Sequence, residues 1–148
     1  MPRIIAQVAG PPPVPRKTLL SNPPVISIID DDLSVRTATD NLVRSLGYAV
    51  RTYASAEEFL HSPQLNDTSC VIADVRMPAM SGLDLQARLI ADGRRVPFIF
   101  ITAFSVESDR ARAMEAGAIC FLIKPFDGDA LVKCLDAALA QHGTATSA

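Results

Sequence analysis

Apolar residues along the chain fall into short, nearly continuous runs that alternate with longer segments of helical spacing. The short runs predict strands, and they span residues 25–29, 48–53, 69–73, 97–101 and 118–123. The segments between them predict helices, which span residues 33–46, 55–61, 81–93, 105–116 and 127–140. Residues that typically begin and end helices support these bounds. Ser55, with Glu58 three residues later, and Ser81 are N-cap signals, and Gly47 and Gly117 are C-terminal stop signals.

The alternation of strand and helix determines the expected fold class. Several strands are apolar almost throughout, which is typical of a sheet covered on both faces. Right-handed crossovers between such strands give a doubly wound α/β structure. We therefore expect a flavodoxin-like, five-stranded parallel sheet in the order 2-1-3-4-5, with five helices around it.

Composition divides the chain into a core and two ends. Hydrophobic residues make up 49% of the 148 residues and charged residues 20%, enough for one globular domain. Seven of the eleven prolines precede residue 25, which predicts a proline-rich, flexible arm over residues 1–24. The expected domain then covers residues 25–141, and a small-residue tail covers 142–148.

Charge, hydropathy and cysteine content exclude several function classes. A net charge of −2 offers no electrostatic argument for nucleic acid or an anionic membrane. No apolar run reaches the roughly 18 residues of a membrane span. Cys70, Cys120 and Cys134 have no zinc-site spacing, and an odd number without a signal peptide favours reduced, buried thiols in a cytoplasmic protein.

Candidate chemistry is concentrated where the predicted strands end. The first strand is followed by Asp30 and Asp31, the third by Asp74, the fourth by Thr102 and the fifth by Lys124. The carboxyl ends of parallel strands lie on one edge of the sheet, where open α/β sheets place their ligands. We therefore expect three carboxylates, one hydroxyl and one ammonium group in a single cleft.

This combination of groups favours phosphoryl transfer assisted by a cation. Clustered carboxylates raise one another's pKa unless a cation joins them, and oxygen-only ligands suit Mg²⁺. Lysine and threonine can neutralise and hydrogen-bond phosphoryl oxygens, and a carboxylate can itself be the nucleophile. Simpler interpretations stay open for single residues: Asp30 as a helix cap, Asp32 as a first-turn acid and Phe121 as core.

The same residues, in their order, resemble the receiver domain of bacterial two-component response regulators. The motifs are Ile29-Asp30-Asp31, Asp74 with Met77-Pro78 and Ser81-Gly82, Thr102-Ala103, and Lys124-Pro125-Phe126. The resemblance covers about residues 24–141 and is nearest to the nitrogen-fixation-regulator branch of the family.

The resemblance implies a role for each site residue. Asp74 would be the phosphoacceptor, and Mg²⁺ would be held by Asp30, Asp31, Asp74 and the backbone carbonyl of Arg76. Lys124, Thr102 and the amide of Ala103 would bind the phosphoryl oxygens. The same resemblance makes Thr102 and Phe121 the switch residues, and it implies a cis bond between Lys124 and Pro125.

Partners and output follow from the resemblance as well. The phosphodonor would be a sensor histidine kinase or a phosphotransfer protein, and a homodimer would form through the fourth helix, fifth strand and fifth helix. We expect no direct nucleic-acid binding by this chain, since only a few residues follow the last predicted helix. The chain is then either a stand-alone receiver or part of a longer regulator.

Two other functions are compatible with parts of the pattern. One is a receiver-like docking module that works without phosphorylation. The other is a haloacid-dehalogenase-type phosphatase, which the Asp30-x-Asp32 motif, Thr102 and Lys124 also resemble. The phosphatase interpretation leaves Asp74 without a role and needs a further acidic strand after Lys124.

Overall fold

A parallel β-sheet forms the centre of the computed structural model, which describes residues 23–147, with side chains described up to residue 140. Within that range the strands are β1 (Val25–Ile29), β2 (Ala49–Tyr53), β3 (Cys70–Asp74), β4 (Phe98–Thr102) and β5 (Cys120–Ile123). They pair in the order β2-β1-β3-β4-β5, and every pairing is parallel. The predicted fold class and strand order are confirmed.

Helices connect the strands and cover both faces of the sheet. They are α1 (Leu33–Ser45), α2 (Ala56–Leu60), α3 (Gly82–Ala91), α4 (Glu107–Glu115) and α5 (Gly128–Ser147). A short 3-10 helix, Leu65–Asp67, precedes β3 and was not predicted. Helix α4 begins two residues later than predicted, because Val106 occupies its N-cap position and offers no side-chain cap.

Alternation of side chains along the strands builds two core layers. In β4, Phe98 and Phe100 face the layer that contains α2 and α3, whereas Ile99 and Ile101 face the layer that contains α1 and α5. All four are at least 97% buried. Burial on both faces explains why this strand is apolar at every position before Thr102, since burying each such side chain contributes about 1.5–3 kcal/mol.

Side-chain caps begin three of the helices near the carboxyl edge of the sheet. Ser81 accepts a hydrogen bond from the Asp84 amide, and Asp84 accepts one in return, so α3 begins with a capping box. Ser55 accepts a hydrogen bond from the Glu58 amide at the start of α2. Asp32 caps α1 by accepting hydrogen bonds from the Ser34 and Val35 amides. The cap interpretation of Asp30 is therefore wrong, and the cap is two residues further on.

The expectation of three reduced thiols is wrong for two of the cysteines. Cys70 is free and buried, but Cys120 in β5 and Cys134 in α5 form a disulfide, with their Cα atoms 6.0 Å apart. Fourteen residues separate them in sequence. No local signal predicts the pairing, because only the packing of α5 against β5 brings the two sulfurs together.

The remaining sequence expectations about the chain ends are not tested. Residues 1–22 and 148 lie outside the described residues, so the division into arm, domain and tail stays a prediction. Among the residues that the structure describes, no helix has both the length and the apolar character needed to cross a membrane.

Candidate phosphoryl-transfer site

The candidate site lies where the strand order reverses, between the adjacent strands β1 and β3. Asp30 directly follows β1, Asp74 is the last residue of the adjacent β3, and Lys124 directly follows β5. In open α/β sheets this crevice at the carboxyl ends of the strands is the usual place for a ligand. The sheet topology therefore brings together residues that are up to 94 positions apart in sequence.

Lys124 links the two buried carboxylates of the site. Its Nζ donates hydrogen bonds of 3.1 Å to Asp30 Oδ2 and 3.1 Å to Asp74 Oδ2. Asp30 is fully buried, and Asp74 is 6% exposed. One ammonium group thus partly neutralises two carboxylates that have lost most of their contact with water.

Asp31 completes a cluster of three carboxylates. One carboxylate oxygen each from Asp30, Asp31 and Asp74 lies within 4.8 Å of the others, and Asp31 is the exposed member. Such a cluster carries more negative charge than one lysine can balance. The donor set consists of oxygen atoms alone, which matches the preference of Mg²⁺.

The charges of the cluster shift the pKa values of Asp30 and Lys124. Burial raises the pKa of Asp30, and the nearby charge of Asp74 raises it further, although hydrogen bonds from the Asp32 amide and Lys124 oppose the shift. Burial alone would lower the pKa of Lys124, but its hydrogen bonds and charge interactions with Asp74 and Asp30 outweigh this and raise it. The lysine is therefore held in its charged form.

Backbone groups fix the two buried carboxylates. The Arg76 amide donates a hydrogen bond of 3.1 Å to Asp74 Oδ1, and the Asp32 amide donates one of 2.9 Å to Asp30 Oδ1. Each carboxylate is thus held by an amide two residues later in the chain. Arg36, which the sequence did not single out, donates a 2.6 Å hydrogen bond to the backbone carbonyl of Asp30.

Thr102 ends β4 beside the end of β3, and Phe121 pairs with Phe100 further back along the sheet, so neither belongs to the acidic cluster. The Thr102 hydroxyl donates to the Phe104 carbonyl at 3.0 Å and accepts from the Phe104 amide at 3.2 Å, so it is engaged by its own loop. Phe121 is partly buried and packs against the core layer that contains Phe98 and Phe100. Ala103, between Thr102 and Phe104, is exposed.

Two features of the site were missed by sequence reasoning. The side chain of Arg76, of which only the backbone carbonyl had been given a role, forms a 2.8 Å ion pair with Asp109 of α4. Gly82 packs its backbone directly on the backbone carbonyl of Asp74. The ion pair joins residues 33 positions apart and has no local signal, whereas a glycine at the first position of a helix was a visible hint.

A model of the response regulator receiver domain family matches residues 26–136. This chain belongs to the response-regulator receiver family. The predicted family is thus confirmed, and the cis peptide bond between Lys124 and Pro125 agrees with what the resemblance implied.

The sequence of this receiver is similar to those of individual response regulators. It is 43% identical over 115 residues to the response regulator protein TodT of Pseudomonas putida, covering 78% of this chain and 51% of TodT. It is 39% identical over 114 residues to the transcriptional regulatory protein FixJ of Azorhizobium caulinodans, covering 77% and 54%. These matches confirm relatives of the nitrogen-fixation-regulator type.

A solved structure agrees with the fold of the receiver. The response regulator StyR superposes with a TM-score of 0.78 at 40% identity, covering 84% of this chain and 63% of StyR. The chain spans about half the length of the curated relatives it matches. None of these matches favours the haloacid-dehalogenase interpretation.

Proposed function

We propose that the receiver accepts a phosphoryl group on Asp74 and relays that event to the surface formed by α4, β5 and α5. The observation that carries the proposal is the contact of Lys124 Nζ with both Asp30 and Asp74, beside the exposed Asp31. A carboxylate fixed by one amide and one ammonium group keeps an oxygen lone pair for nucleophilic attack. This arrangement leaves Asp74 able to act as a nucleophile, which a carboxylate in a purely structural ion pair does not need to do.

The proposed reaction transfers a phosphoryl group from a sensor histidine kinase or a phosphotransfer protein. An Asp74 oxygen attacks phosphorus as the bond from phosphorus to the donor histidine nitrogen breaks, and that nitrogen keeps the electron pair. Lys124 turns from Asp74 towards the incoming phosphoryl oxygens, and the Thr102 hydroxyl and Ala103 amide bind the others. The receiver thereby promotes only its own phosphorylation and, with water as the nucleophile, its own dephosphorylation.

The acidic cluster fits Mg²⁺. Asp30, Asp31 and Asp74 would hold the ion, with the Arg76 carbonyl as a further oxygen ligand from the loop that already contacts Asp74. Bound there, Mg²⁺ would neutralise charge on the phosphoryl oxygens. Its fit is supported by three carboxylates, each offering an oxygen within 4.8 Å of the others, beside a single ammonium group.

Direct phosphorylation tests the proposed function. The chain is incubated with a small acyl-phosphate donor and Mg²⁺, and the product is examined by intact mass and by peptide mapping after reduction with borohydride. We expect one phosphoryl group per chain, labile to hydroxylamine and located on Asp74. A chain that stays unmodified by the small donor and by cognate kinases would instead behave as a docking module without phosphorylation.

Removing the exposed carboxylate should weaken Mg²⁺ binding without disturbing the fold. Asp31→Asn keeps the size of the side chain but removes the charge that faces solvent. We expect the Mg²⁺-dependent amide shifts of residues around Asp74 to move to much higher Mg²⁺ concentration in an NMR titration. Asp92→Asn is the matched control, since Asp92 follows α3 at the opposite edge of the sheet. Identical titrations for Asp31→Asn and the wild type would contradict the metal assignment.

The proposed output surface contains exposed apolar side chains. Phe104 is 67% exposed, Ile123 48% and Met114 37%, and they lie on the loop before α4, on β5 and on α4. Such residues favour association, and we propose a homodimer or a partner contact there. Of the charged residues on this face, Asp109 and Arg112 already pair with Arg76 and Asp84, which leaves Glu107, Arg110 and Lys133 for contacts across a dimer.

Thr102 connects the phosphoryl group to this surface in our proposal. Its hydroxyl must leave Phe104 to reach a phosphoryl oxygen, and this movement draws the loop before α4 inward. Space then opens for Phe121, whose ring can turn inward without burying an unsatisfied polar group. A receiver in the cytoplasm, acting by protein contact and without direct nucleic-acid binding by this chain, fits these features.

The connection predicts a specific loss in Thr102→Ala. With beryllofluoride and Mg²⁺ as a phosphoryl mimic, the wild type should shift amides around Asp74 and across residues 103–121. Thr102→Ala should keep the shifts around Asp74 but lose most of those beyond residue 103, because it lacks the hydroxyl. Thr102→Ser should restore them, and Thr52→Ala, at an exposed position of β2, should match the wild type. Full shifts across residues 103–121 in Thr102→Ala would argue against this route.

A further inference from the structure

The disulfide between Cys120 and Cys134 lies outside the acidic cluster but joins two elements of the proposed output surface. Cys120 begins β5, and Cys134 lies in the second turn of α5. Their Cα atoms are 6.0 Å apart, within the distance range that disulfides require. The backbone positions the two sulfurs for bonding, so that no large movement is needed to form or to break the bond.

The three cysteines differ in their access to solvent. Cys120 is partly exposed at the edge strand of the sheet, whereas Cys134 is 5% exposed and Cys70 is fully buried. Burial raises the pKa of the Cys70 thiol to about 12, so it stays protonated and inert. Of the bonded pair, Cys120 is thus the more exposed residue, and we expect a dissolved thiol or disulfide to react there first and Cys134 to react second.

The bond closes a loop that includes a residue of the candidate site. Lys124 lies between the two cysteines, and its Nζ contacts both Asp30 and Asp74. Side chains alternate along β5, so Cys120 faces the layer with α5 while its neighbour Phe121 faces the opposite layer. Oxidation therefore ties down the strand and loop that carry both Phe121 and Lys124 without touching either side chain.

We propose that Cys120 and Cys134 form a reversible thiol–disulfide switch that clamps β5 to α5. This inference rests on the cytoplasmic location proposed above, because disulfides in reducing compartments are usually transient or redox-sensing, and the partly exposed Cys120 fits that role. The oxidant is a low-molecular-weight disulfide such as oxidised glutathione. The Cys120 thiolate attacks one of its sulfurs and releases one thiolate; Cys134 then attacks Cys120 and releases the second. Both cysteine protons are lost, the pair is oxidised by two electrons, and the small disulfide is reduced to two thiols.

A redox titration tests the clamp without reference to phosphorylation. The wild-type chain is equilibrated with mixtures of reduced and oxidised glutathione. Its free thiols are then alkylated with a maleimide under denaturing conditions and counted by mass spectrometry. We expect loss of two thiols together, while Cys70 stays available after denaturation. Cys70→Ser, the matched control, should titrate like the wild type apart from its missing third thiol.

Single variants of the pair separate the two steps. Cys134→Ser and Cys134→Ala should stop at a mixed disulfide with glutathione on Cys120, and Cys120→Ser should remain largely unmodified. Cys134 is buried, so one of the two replacements could prevent folding. The second replacement then still provides a folded chain for the measurement. If Cys120→Ser forms as much mixed disulfide on Cys134 as the Cys134 variants form on Cys120, then Cys120 is not the residue that reacts first.

Backbone protection provides the second measurement. Hydrogen exchange of the amides in residues 121–133 should be slower in the oxidised chain than in the reduced chain, and strand β2 should be unchanged. Thiols that remain free over the whole range of glutathione mixtures would overturn the proposal. So would a bond that reductant removes only after unfolding, because that would be a permanent cross-link. Equal exchange in the two redox states would overturn the clamp.

Discussion

Asp74→Asn is expected to reduce phosphoryl incorporation to background. Asparagine has the shape of aspartate, and its carbonyl oxygen can still accept the hydrogen bond that Lys124 Nζ donates to Asp74 at 3.1 Å. Its amide has no negative charge, however, and its electrons are delocalised, so that it does not attack phosphorus. The variant should thus remain folded but lose the acceptor, which separates chemistry from structure.

The measurement is intact mass after incubation with a small acyl phosphate and Mg²⁺, followed over time. Asp92→Asn makes the same chemical change outside the cluster and should be phosphorylated at the wild-type rate. Asp30→Asn is the stricter comparison, since Asp30 is also buried and also accepts a hydrogen bond from Lys124. It should be phosphorylated slowly but not be inert. Wild-type incorporation in Asp74→Asn would mean that another residue is the acceptor.

Gly82→Ala is expected to destabilise the receiver. A Cβ at residue 82 would overlap the Asp74 carbonyl oxygen and lie 3.1 Å from its carbonyl carbon and 3.2 Å from the Phe100 ring. The backbone cannot yield easily, because the Gly82 amide donates a 3.0 Å hydrogen bond to the Val75 carbonyl. Overpacking of this kind costs about 1–3 kcal/mol of the free energy of unfolding.

Gly128→Ala provides the matched control for that substitution. Gly128 begins α5 as Gly82 begins α3, but a Cβ there would meet Leu42 at 3.8 Å, an ordinary contact. Its free energy of unfolding should stay within about 0.5 kcal/mol of the wild type or rise slightly. Urea denaturation compares the two variants. Equal free energies of unfolding for Gly82→Ala and Gly128→Ala would show that the loop around Asp74 adapts to the added methyl group. The short distance between Gly82 and the Asp74 carbonyl would then not contribute to stability.

The sequence was sufficient to predict the elements and the cleft because both depend on local patterns. Apolar runs of the right length predicted each strand within two residues of its observed position, and polar residues marked where strands end. Once a parallel sheet is expected, its strand ends must share one edge. The convergence of Asp30, Asp31, Asp74 and Lys124 therefore followed from topology, and their proposed roles await the experiments above.

Only the tertiary structure decided contacts between distant elements. The pairing of Cys120 with Cys134 and of Arg76 with Asp109, and the approach of Gly82 to the Asp74 backbone, depend on how helices are seated on the sheet. The periodicity of strands and helices depends only on residues that are close together in sequence, so the sequence shows it directly. The distance between two side chains on different elements depends on the packing of the whole core, which the local pattern does not specify.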